Sequence, residues 1–385
     1  MDFSHILTEP YTLTLTIVMA LSLVFLCFYY GIFYFRVGHY KGPKNKKKSD
    51  SAPDSLPPVS VVLTAQNDGE WLKTNLVYLL EQDYPDFEVV VVDNMSKDET
   101  QYVLKILSEN YPHLKIVPLT ENANGYRGKK YPMSMGIKSA KNDILLFADP
   151  NCRPIDLTNF RWLREMVSGY LGDKTEIVLG YCGLQPKNSP FNWLQQYDNL
   201  DYSVEYLGAA IMHRPFTGNG RNLSYRRSMF MKKRGFIYHY SIPDGVDDMF
   251  VNQNCTSRNT SVVLTPDSFT LVEPMPTVAQ WHSYRKHRTV THKYYSFLLK
   301  LHRLLRPLSV VLFYLAGALL LVAGTMPWPV LAAALLVKLA WEIAATSAAA
   351  ARLMAKPVVG WLSPLLEIYF LFANTILSIS PLPKK

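Results

Sequence analysis

Phe87-Glu-Val-Val-Val-Val-Asp93 sets four consecutive valines directly before an aspartate. A β-branched run without polar alternation is typical of a strand that is buried on both faces of a parallel sheet. Comparable runs occupy residues 59–64, 114–119 and 143–149, and segments with helical spacing lie at residues 71–81, 98–110 and 131–141. Strands that alternate with helices predict an α/β domain with a mostly parallel sheet.

Polar side chains follow three of the four predicted strands. The three segments are Ala65-Gln-Asn-Asp68, Asp93-Asn-Met-Ser96 and Asp149-Pro-Asn-Cys152. Ligands of open α/β sheets bind beyond the carboxyl ends of the strands, so these segments are expected to share one site. The chain has neither the G-x-G-x-x-G pattern of dinucleotide folds nor a P-loop. Carboxylates repel phosphate, but they hold a base, a ribose or a hard cation that binds a diphosphate.

The 385-residue chain is 49% hydrophobic and only 18% charged, with a mean hydropathy of +0.01. Soluble domains carry about 25% charged residues, so this chain is short of charge rather than rich in apolar residues. The composition excludes a disordered chain, a collagen-like chain and a small disulfide scaffold. The four cysteines show no C-x-x-C or Cys/His metal spacing, and we expect them to be reduced thiols.

Four charge-poor segments account for the low charged fraction. They are residues 11–35, which contain no Asp, Glu, Lys or Arg, and residues 308–326, 330–350 and 358–379. About 20 apolar residues span the hydrocarbon core as a helix, so the sequence predicts one span, a polar domain and three further spans. The first segment is expected to be an anchor rather than a cleaved signal peptide, because no Lys or Arg precedes it and no A-x-A site follows.

Basic residues flank the polar domain on both sides and account for much of the net charge of +9. They are Arg36, His39, Lys41, Lys44, Lys46, Lys47 and Lys48 after the first span, and Lys293, Lys300, His302, Arg303 and Arg306 before the second. The positive-inside rule predicts a cytoplasmic domain whose borders contact anionic membrane lipids. Lys384 and Lys385 would then lie outside, a conflict that a re-entrant or interfacial last segment would remove. Nucleic acid is not an expected partner, because no base-reading module accompanies the charge.

The predicted organisation has five parts: a transmembrane helix at residues 11–35, a basic linker at 36–57, the α/β domain at 58–292, an interfacial helix at 293–306 and three transmembrane helices at 307–380. The interfacial helix is predicted because basic and apolar residues recur at helical spacing there. Lys338 and Glu342 share one helix face inside the third span, as a neutral pair or as functional groups. Glu367 in the last span is a second candidate partner of Lys338.

An ordered series of short segments runs from residue 58 to residue 288. The segments are residues 58–68, 92–100, 128–130, 148–154, 217–227, 245–252 and 281–288. In order and spacing they resemble the base-binding loops, the D-x-D region, the acceptor segment, the acidic run and the membrane-proximal segment of family 2 inverting glycosyltransferases with the GT-A fold. The layout of one span before the domain and three after it is similar to that of bacterial inner-membrane members.

The resemblance implies transfer of a sugar from a nucleotide-sugar, with a UDP-sugar expected, to a lipid-linked or membrane-proximal glycan acceptor. It implies Mg²⁺ or Mn²⁺ as the cofactor, held by Asp149 and Asn151. The implied nucleotide-sugar-binding residues are Ala65, Asn67, Asp68, Asp93, Asn94, Ser96, Lys129, Lys130, Asp149, Arg285, Lys286 and Arg288. The implied acceptor-binding residues are Gly218, Asn219, Gly220, Arg221, Asn222 and Trp281. An inverting transfer also needs a general base, for which we rank Asp247 first, Asp248 second and Asp244 third.

Several positions depart from the family pattern. Asn94, Asn151 and Val246 each stand where the family has an acidic residue. Tyr284 replaces the Gln of the processive Q-x-x-R-W signature, whose Arg and Trp are also missing, and this favours single addition over polymerisation. The departures leave open a second hypothesis, a catalytically impaired pseudo-glycosyltransferase that acts as a binding or scaffold subunit.

The same residue types also occur for purely structural reasons, and these interpretations stay open at the level of sequence. They are helix caps for Asp93 and Asp98, a turn for Asp149, positive φ for Gly218 and Gly220, first-turn helix charges for Asp247 and Asp248, and a lipid-facing flank for residues 285–288.

Overall fold

The computed structural model describes residues 10–42, 56–120, 128–170, 172, 174–242 and 244–379. Within these ranges three helices are long and apolar enough to cross a membrane, judged by length and composition. They are α1 (Pro10–Gly38), α10 (Phe297–Ala323) and α11 (Trp328–Arg352). Much of the predicted basic linker and the C-terminal lysines lie outside the described residues: Lys44, Lys46, Lys47, Lys48, Lys384 and Lys385.

The α/β domain between α1 and α10 contains two sheets. Its strands are β1 (Val59–Ala65), β2 (Phe87–Asn94), β3 (Leu114–Leu119), β4 (Ile144–Phe147), β5 (Cys152–Pro154), β6 (Ile177–Leu179), β7 (Cys182–Leu184), β8 (Leu223–Arg226), β9 (Thr260–Val262) and β10 (Thr270–Val272). The larger sheet has the order β3-β2-β1-β4-β8-β6-β9, and the smaller has the order β5-β10-β7. Strands β1 to β4 are parallel and β8 is antiparallel to both of its neighbours, so the predicted mostly parallel sheet is confirmed.

The valine run of β2 lies inside the larger sheet, where Val89 to Val92 are fully buried. Alternate valines serve opposite faces, as the two-residue period of a strand requires. Val89 and Val91 belong to a core cluster with Leu72 and Leu104, whereas Val90 belongs to a second cluster with Met133 and Ile137. The sheet is therefore covered on both faces, which explains why the run shows no polar alternation.

Within the described residues of the α/β domain, eight α-helices accompany the strands. They are α2 (Gly69–Leu80), α3 (Thr100–Asn110), α4 (Lys130–Ser139), α5 (Trp162–Val167), α6 (Pro190–Ile211), α7 (Arg227–Lys232), α8 (Asp248–Asn254) and α9 (Val278–Thr289). In the order β3-β2-β1-β4 the strand sequence reverses at β1, so a crevice is expected beyond the ends of β1 and β4.

Helix α6 joins the domain to the membrane helices. It begins at Ser189, whose hydroxyl accepts a hydrogen bond from the Asn192 amide, and Pro190 occupies its first turn. Near its end, a Cβ on Gly208 would lie 2.9 Å from the Phe33 ring of α1. Only glycine allows this close approach, so α6 packs directly against the first membrane helix.

The predicted interfacial helix at residues 293–306 is not a separate element. A 3-10 turn occupies Val290–Tyr294, and α10 begins after Ser296, whose hydroxyl caps the Leu299 amide. The helix then continues through Pro307 into the apolar span. Proline removes a single backbone hydrogen bond, and the packing of α10 along α1 keeps the helix continuous.

The last predicted span, residues 358–379, is divided into α12 (Pro357–Trp361) and α13 (Ser363–Ile379). Pro364 follows the break directly, and proline restricts the residue before it while suiting the first turn of a new helix. With 17 residues, α13 is about 25 Å long, shorter than the hydrocarbon core of about 30 Å. The described C-terminal region therefore has two helices of spanning length, α10 and α11, followed by the shorter helices α12 and α13, rather than three spans.

A network of buried charges lies inside the helical bundle. Lys338 donates to Glu342 at 2.6 Å and to Glu367 at 2.7 Å, so both expected pairs form. Arg306 lies 3.5 Å from Glu367 and also donates to Asp201 on α6. Each of these carboxylates pairs with at least one cation, and the network links the membrane helices to the α/β domain.

Candidate active site

The loops that follow β1 and β2 are tied together by hydrogen bonds. Asn67, with a φ of +57°, donates from its amide to Ser96 Oγ at 3.0 Å, and its side-chain oxygen accepts from the Lys97 amide at 2.8 Å. Asp93 is buried and accepts from the Ser96 amide at 3.1 Å and from Gln101 Nε2 at 2.9 Å. Asp93, Ser96 and Asn67 therefore hold the two loops in place, and they do not line the clefts described next.

Asp68 precedes α2 at the edge of the crevice. Its carboxylate accepts from the Gln66 amide at 2.8 Å, and its own amide donates to Thr100 Oγ1 at 3.0 Å. The Gly69 amide at the start of α2 donates to Asp98 at 3.0 Å, which satisfies a helix end across the two loops. Burial raises the pKa of Asp68, although its backbone hydrogen bond opposes the shift.

The first cleft has a volume of about 540 Å³ and lies beyond the carboxyl ends of β1 and β4. Six of its lining residues were expected to bind the donor or its metal: Ala65, Asp68, Asn94, Lys129, Asp149 and Asn151. Arg221, expected in the acceptor segment, lines it as well. The cleft thus combines amide and carboxylate groups with two cations, a lining suited to a nucleoside that carries phosphate.

Asp149 lies at the junction of this cleft with a second one. Its Oδ1 accepts from Lys129 Nζ at 2.8 Å and its Oδ2 accepts from Arg221 Nε at 3.2 Å. Burial raises the pKa of Asp149, but the two cations outweigh that effect and hold the pKa well below its usual range. The same three side chains line both clefts, so a diphosphate at this junction would lie beside Lys129 and Arg221.

The second cleft has a volume of about 320 Å³ and contains three carboxylates, Asp244, Asp247 and Asp248. Asp247 Oδ2 accepts from the Gly220 amide at 2.6 Å. A Cβ on Gly220 would lie 2.9 Å from that oxygen, so the need for glycine here is close approach rather than positive φ. Asp247 Oδ1 accepts no hydrogen bond from the described residues, and Asp247 is the carboxylate with a free oxygen in this cleft.

Asp248 has different surroundings, although it is the next residue. It is the first residue of α8 and is 9% exposed. Its Oδ2 accepts from Thr291 Oγ1 and from the Tyr295 hydroxyl, and its Oδ1 accepts from the Met249 amide at 2.7 Å. Burial, followed by the charge of Asp247, raises the pKa of Asp248 to about 6.

The acceptor segment is divided between the cleft and the interior. Asn219, Gly220 and Arg221 line the second cleft, whereas Gly218 does not. Asn222 is buried under the cleft, donates to the carbonyls of Tyr181 and Ser268, and accepts from Trp162 Nε1. Asn222 therefore holds the segment in place instead of facing an acceptor.

Lys130 also faces the interior, in contrast to its expected role with the donor. It is 5% exposed, and its ammonium group donates to the carbonyls of His239 and Ile242, both at 2.5 Å. Burial lowers the pKa of Lys130 to about 8, against the opposing charges of Asp248 and Asp244. Since consecutive helical residues point about 100° apart, Lys129 can face the cleft only while Lys130 turns inward. Lys130 thus supports the segment that leads to the acidic run.

The basic segment on α9 is likewise divided. Arg285 is 4% exposed, pairs with Asp198 at 3.0 Å and donates to Asn374 on α13. Lys286 donates to the carbonyl of Leu377 at 2.6 Å, at the end of α13. Trp281 is buried with the same group of residues. These three residues dock α9 on the membrane region and line neither cleft, so the structure does not bring them together with the other expected donor and acceptor residues.

Arg288 is the member of that segment that lines the second cleft. It pairs with Asp198 at 2.8 Å and lies over the Tyr202 ring, 4.5 Å from its centroid. Tyr284 packs over Arg221 at 5.0 Å, and His287 pairs with Asp244 at 3.0 Å. The sequence did not point to Tyr202, it marked Tyr284 only as a departure from the family pattern, and it included His287 only as part of the segment at residues 281–288. The sole available signal was the helical spacing of residues 284, 287, 288 and 291, which places them on one face.

Whether the implied metal ion fits depends on the oxygen ligands that the site offers. Among the described residues there is no group of three or more His, Cys, Asp or Glu side chains arranged to hold a metal ion. Asp149 and Asn151 line one cleft and offer a carboxylate and an amide oxygen. Mg²⁺ usually keeps several waters and binds one or two carboxylates together with substrate phosphates. The residues present fit a cation of that kind, bound together with a diphosphate.

The chain resembles known proteins in sequence and fold. Residues 60–240 match the family profile Glycosyl transferase family 2. Glycosyltransferase AglE of Haloferax volcanii is 32% identical over 128 residues, which are 33% of this chain and 40% of that protein. Probable glycosyltransferase YdaM of Bacillus subtilis is 28% identical over 228 residues, which are 57% of this chain and 53% of that protein. The matches thus span about half or less of either relative.

One solved structure shares the fold over most of the chain. It is the mannosyltransferase PcManGT from Pyrobaculum calidifontis in complex with GDP-Man and Mn²⁺, which aligns over 92% of this chain and 97% of its own with a TM-score of 0.56. At 20% identity this likeness concerns the fold alone. Residues 60–240 therefore show the sequence pattern of glycosyl transferase family 2, and the chain shares its fold with this mannosyltransferase, an α/β fold of the GT-A type.

Proposed function

We propose that the chain is a membrane-anchored, inverting glycosyltransferase that adds one sugar from a nucleotide-sugar to a lipid-linked or membrane-proximal acceptor. The observation that carries this proposal is the junction of two clefts at Asp149. The first cleft offers amide and carboxylate groups to a nucleoside, and the second contains the carboxylate of Asp247. A sugar at the junction would have its diphosphate beside two cations and an acceptor on the side of Asp247.

Asp247 is the proposed general base. An inverting transfer requires the acceptor hydroxyl to attack the anomeric carbon from the face opposite the leaving nucleotide. Asp247 takes the proton of that hydroxyl while the new glycosidic bond forms and the bond to the diphosphate breaks. The Gly220 amide, which donates to Asp247 Oδ2, orients the carboxylate and leaves Oδ1 for the proton.

Lys129 and Arg221 are the proposed stabilisers of the leaving diphosphate. Both cations lie within 3.2 Å of Asp149, and both line the two clefts. Fixed positive groups at the point where negative charge develops lower the barrier to transfer. Mg²⁺ or Mn²⁺, held by Asp149 and Asn151 with the donor phosphates, would supply Lewis-acid stabilisation of the same charge.

A UDP-sugar is the proposed donor, and GDP-mannose is the first alternative because the relative of the same fold was crystallised with it. The proposed setting is the cytoplasmic face of a membrane, that of a bacterial inner membrane in the simplest case. Its support is the positive charge of the described flanks, which carry Arg36 near the end of α1 and Arg303 and Arg306 in the first turns of α10. Cytoplasmic flanks of membrane helices carry such an excess of Lys and Arg.

Nucleotide release in membranes that contain the full chain tests the proposal. UDP-glucose, UDP-N-acetylglucosamine, UDP-galactose and GDP-mannose serve as donors, with Mn²⁺, Mg²⁺ or EDTA. We expect one donor to be consumed, EDTA to abolish release, and Asp149→Ala to lower the rate at least about a hundredfold, the range seen when one electrostatic stabiliser is removed. Glu273→Gln is the matched control, because Glu273 forms an exposed ion pair with Lys187.

The product defines the reaction class. We expect a single added sugar by mass spectrometry, with the anomeric configuration opposite to that of the donor. Release that is unaffected by Asp149→Ala would contradict the site assignment, and a chain of repeated sugars would contradict single addition.

A pseudo-glycosyltransferase is the second candidate. It is favoured by the pairing of both Asp149 oxygens with Lys129 and Arg221, which compete with a metal ion for the carboxylate, and by Asn151 in place of a second acid. If the chain binds a nucleotide-sugar but releases no free nucleotide from any of the donors, in membranes from several sources, the result would support the pseudo-glycosyltransferase over the enzyme.

A further inference from the structure

A largely apolar groove lies between α1, the end of α6 and the first turns of α10, and its volume is about 840 Å³. Phe25, Phe28 and Ile32 line it from α1, and Leu298 and Leu299 line it from α10. Phe28 is 66% exposed and Leu298 is 75% exposed on helices of membrane-spanning length. Large apolar side chains exposed on such helices face lipid, so the groove opens toward the hydrocarbon of the bilayer.

Two arginines line the same groove. Arg36 lies near the end of α1 and Arg214 follows α6, and both are exposed. Neither guanidinium has a carboxylate within ion-pair distance among the parts of the chain that the structure describes. Phe25 and Arg36 are 11 positions apart on one helix, about 16 Å along its axis. The groove therefore has an apolar end at Phe25 and a cationic end at Arg36 and Arg214. These two ends match the hydrocarbon chain and the negatively charged head group of an anionic lipid.

The groove shares a wall with the second cleft. Phe216 lines the groove, and its ring lies 6.2 Å from the ring of Tyr295. The Tyr295 hydroxyl donates to Asp248 at 3.1 Å. Asn252, which also lines the groove, lies one turn after Asp248 on α8. A head group held at the arginines would thus lie next to the acidic run, which distinguishes this groove from a general lipid-facing surface.

We propose that this groove binds the hydrocarbon chain of the acceptor, a sugar linked through phosphate to a single long-chain lipid, with Arg36 and Arg214 on the phosphate and the hydroxyl of that sugar toward Asp247. The proposal rests on the proposed function, because it identifies the acceptor class of that same site. The volume lies within the range of about 300–1,000 Å³ that is usual for small-molecule sites. Arg36 and Arg214 give the phosphate its counter-charge, and the apolar lining selects a lipid over a soluble glycan.

Photo-crosslinking tests the proposal on the full chain in phosphatidylcholine nanodiscs. The probe is a polyprenyl phosphate whose chain carries a benzophenone. We expect crosslinks to map to residues 25–36 and 298–302. Each basic residue near a membrane surface contributes about fivefold to the binding of an anionic lipid, so the double variant Arg36→Gln/Arg214→Gln should bind about thirtyfold more weakly. Met212→Trp, which fills the groove, should also block crosslinking, and Val322→Trp on the far, 87% exposed end of α10 should not.

Competition identifies the occupant. Unlabelled polyprenyl phosphate should displace the probe, and phosphatidic acid at the same concentration should not. Equal displacement by phosphatidic acid, or crosslinking that none of the groove variants changes, would overturn the proposal and leave an ordinary boundary lipid. Asp247→Asn separates the claim about the groove from the claim about the transfer reaction. If Asp247→Asn loses turnover but still crosslinks, the groove binds the lipid independently of catalysis. If the groove variants keep full turnover, the acceptor lipid does not bind in the groove, and the proposed transfer reaction is unaffected.

Discussion

Asp247 and Asp248 are neighbours in sequence, and their surroundings differ enough to give them different roles. Asp247 holds one oxygen against the Gly220 amide and presents the other to the second cleft, whereas Asp248 is buried with both oxygens engaged. Two carboxylates with contrasting environments are a recurrent way of separating a reacting group from a supporting one. Asp248 holds the start of α8 against Thr291 and Tyr295, whereas Asp247 has one oxygen without a hydrogen-bond partner among the described residues, as its proposed role as the base requires.

Replacing Asp248 changes how stability depends on pH. Because the pKa of folded Asp248 is raised to about 6 from an ordinary value near 3.8, the folded state binds its proton more tightly than the unfolded chain does. The group therefore favours the folded state at acid pH, and this contribution is lost as pH rises through 6. We predict that Asp248→Asn gains stability relative to the wild type between pH 4 and pH 7, by about 3 kcal/mol at most.

The measurement is the difference in melting temperature between the two proteins in detergent, taken across that pH range. Glu273→Gln, at an exposed position, should show a constant difference. A constant difference for Asp248→Asn as well would show that Asp248 titrates as it does in the unfolded chain.

At the scale of elements, the sequence predicts the parallel strands β1 to β3 closely, but it does not predict how the surrounding side chains are oriented. The predicted strands at residues 59–64, 87–93 and 114–119 end within one residue of β1, β2 and β3, because uninterrupted apolar runs leave few alternative registers. Residues 143–149 contain the shorter β4 (Ile144–Phe147), and the flanking carboxylates bind other groups: Asp143 accepts from Arg226 and from the Ser228 amide, and Asp149 accepts from Lys129.

The direction of individual basic side chains could not be predicted in the same way. Lys129 and Lys130 are adjacent residues of the same type, so the sequence does not distinguish them. The placement of α4 on the sheet decides which of the two faces the cleft. Arg285 and Lys286 were expected near the diphosphate, but α13 packs against α9 and takes both. Contacts between segments about 90 residues apart leave no local signal in the chain.

Lys130 gives a test of how α4 supports the site. Its removal would leave the buried carbonyls of His239 and Ile242 without their donor, and an unsatisfied buried polar group costs about 1–3 kcal/mol. We predict that Lys130→Met lowers both the melting temperature and kcat, while the affinity for nucleotide changes little. The exposed Lys138 lies on the same helix, and Lys138→Met is the matched control. A fall in nucleotide affinity without loss of stability would instead indicate direct contact with the donor.

At the scale of the whole molecule, the catalytic domain and the membrane helices form one packed body. A single buried cluster contains Tyr30 and Phe33 of α1, Leu207 of α6, Tyr225 of β8 and Phe370 of α13. Asp198 on α6 adds ion pairs to this contact. It accepts hydrogen bonds from Arg285, which also contacts α13, and from Arg288, which lines the second cleft. Asp198 therefore couples the docking of α9 on α13 to the placement of Arg288 in the second cleft.

Asp198→Asn should disturb both regions together. Removing one partner of a buried ion pair costs about 3–5 kcal/mol, because the remaining charge is left without compensation. We predict a clear fall in melting temperature and a loss of turnover that exceeds the loss of nucleotide binding. Glu273→Gln, which breaks an exposed pair, should change neither by a measurable amount. A fully active and stable Asp198→Asn protein would show that the two regions are independent.

The most direct test of the account is the single-turnover rate of sugar transfer by Asp247→Asn, with the dissociation constant of the donor measured on the same preparation. The account predicts that the rate falls about 10²–10⁴-fold, the usual contribution of a general base, while the donor binds as it does to the wild type. Asp248→Asn, measured beside it, should fall less. Transfer by Asp247→Asn at the wild-type rate, or a larger loss for Asp248→Asn, would contradict the assignment of Asp247 as the base.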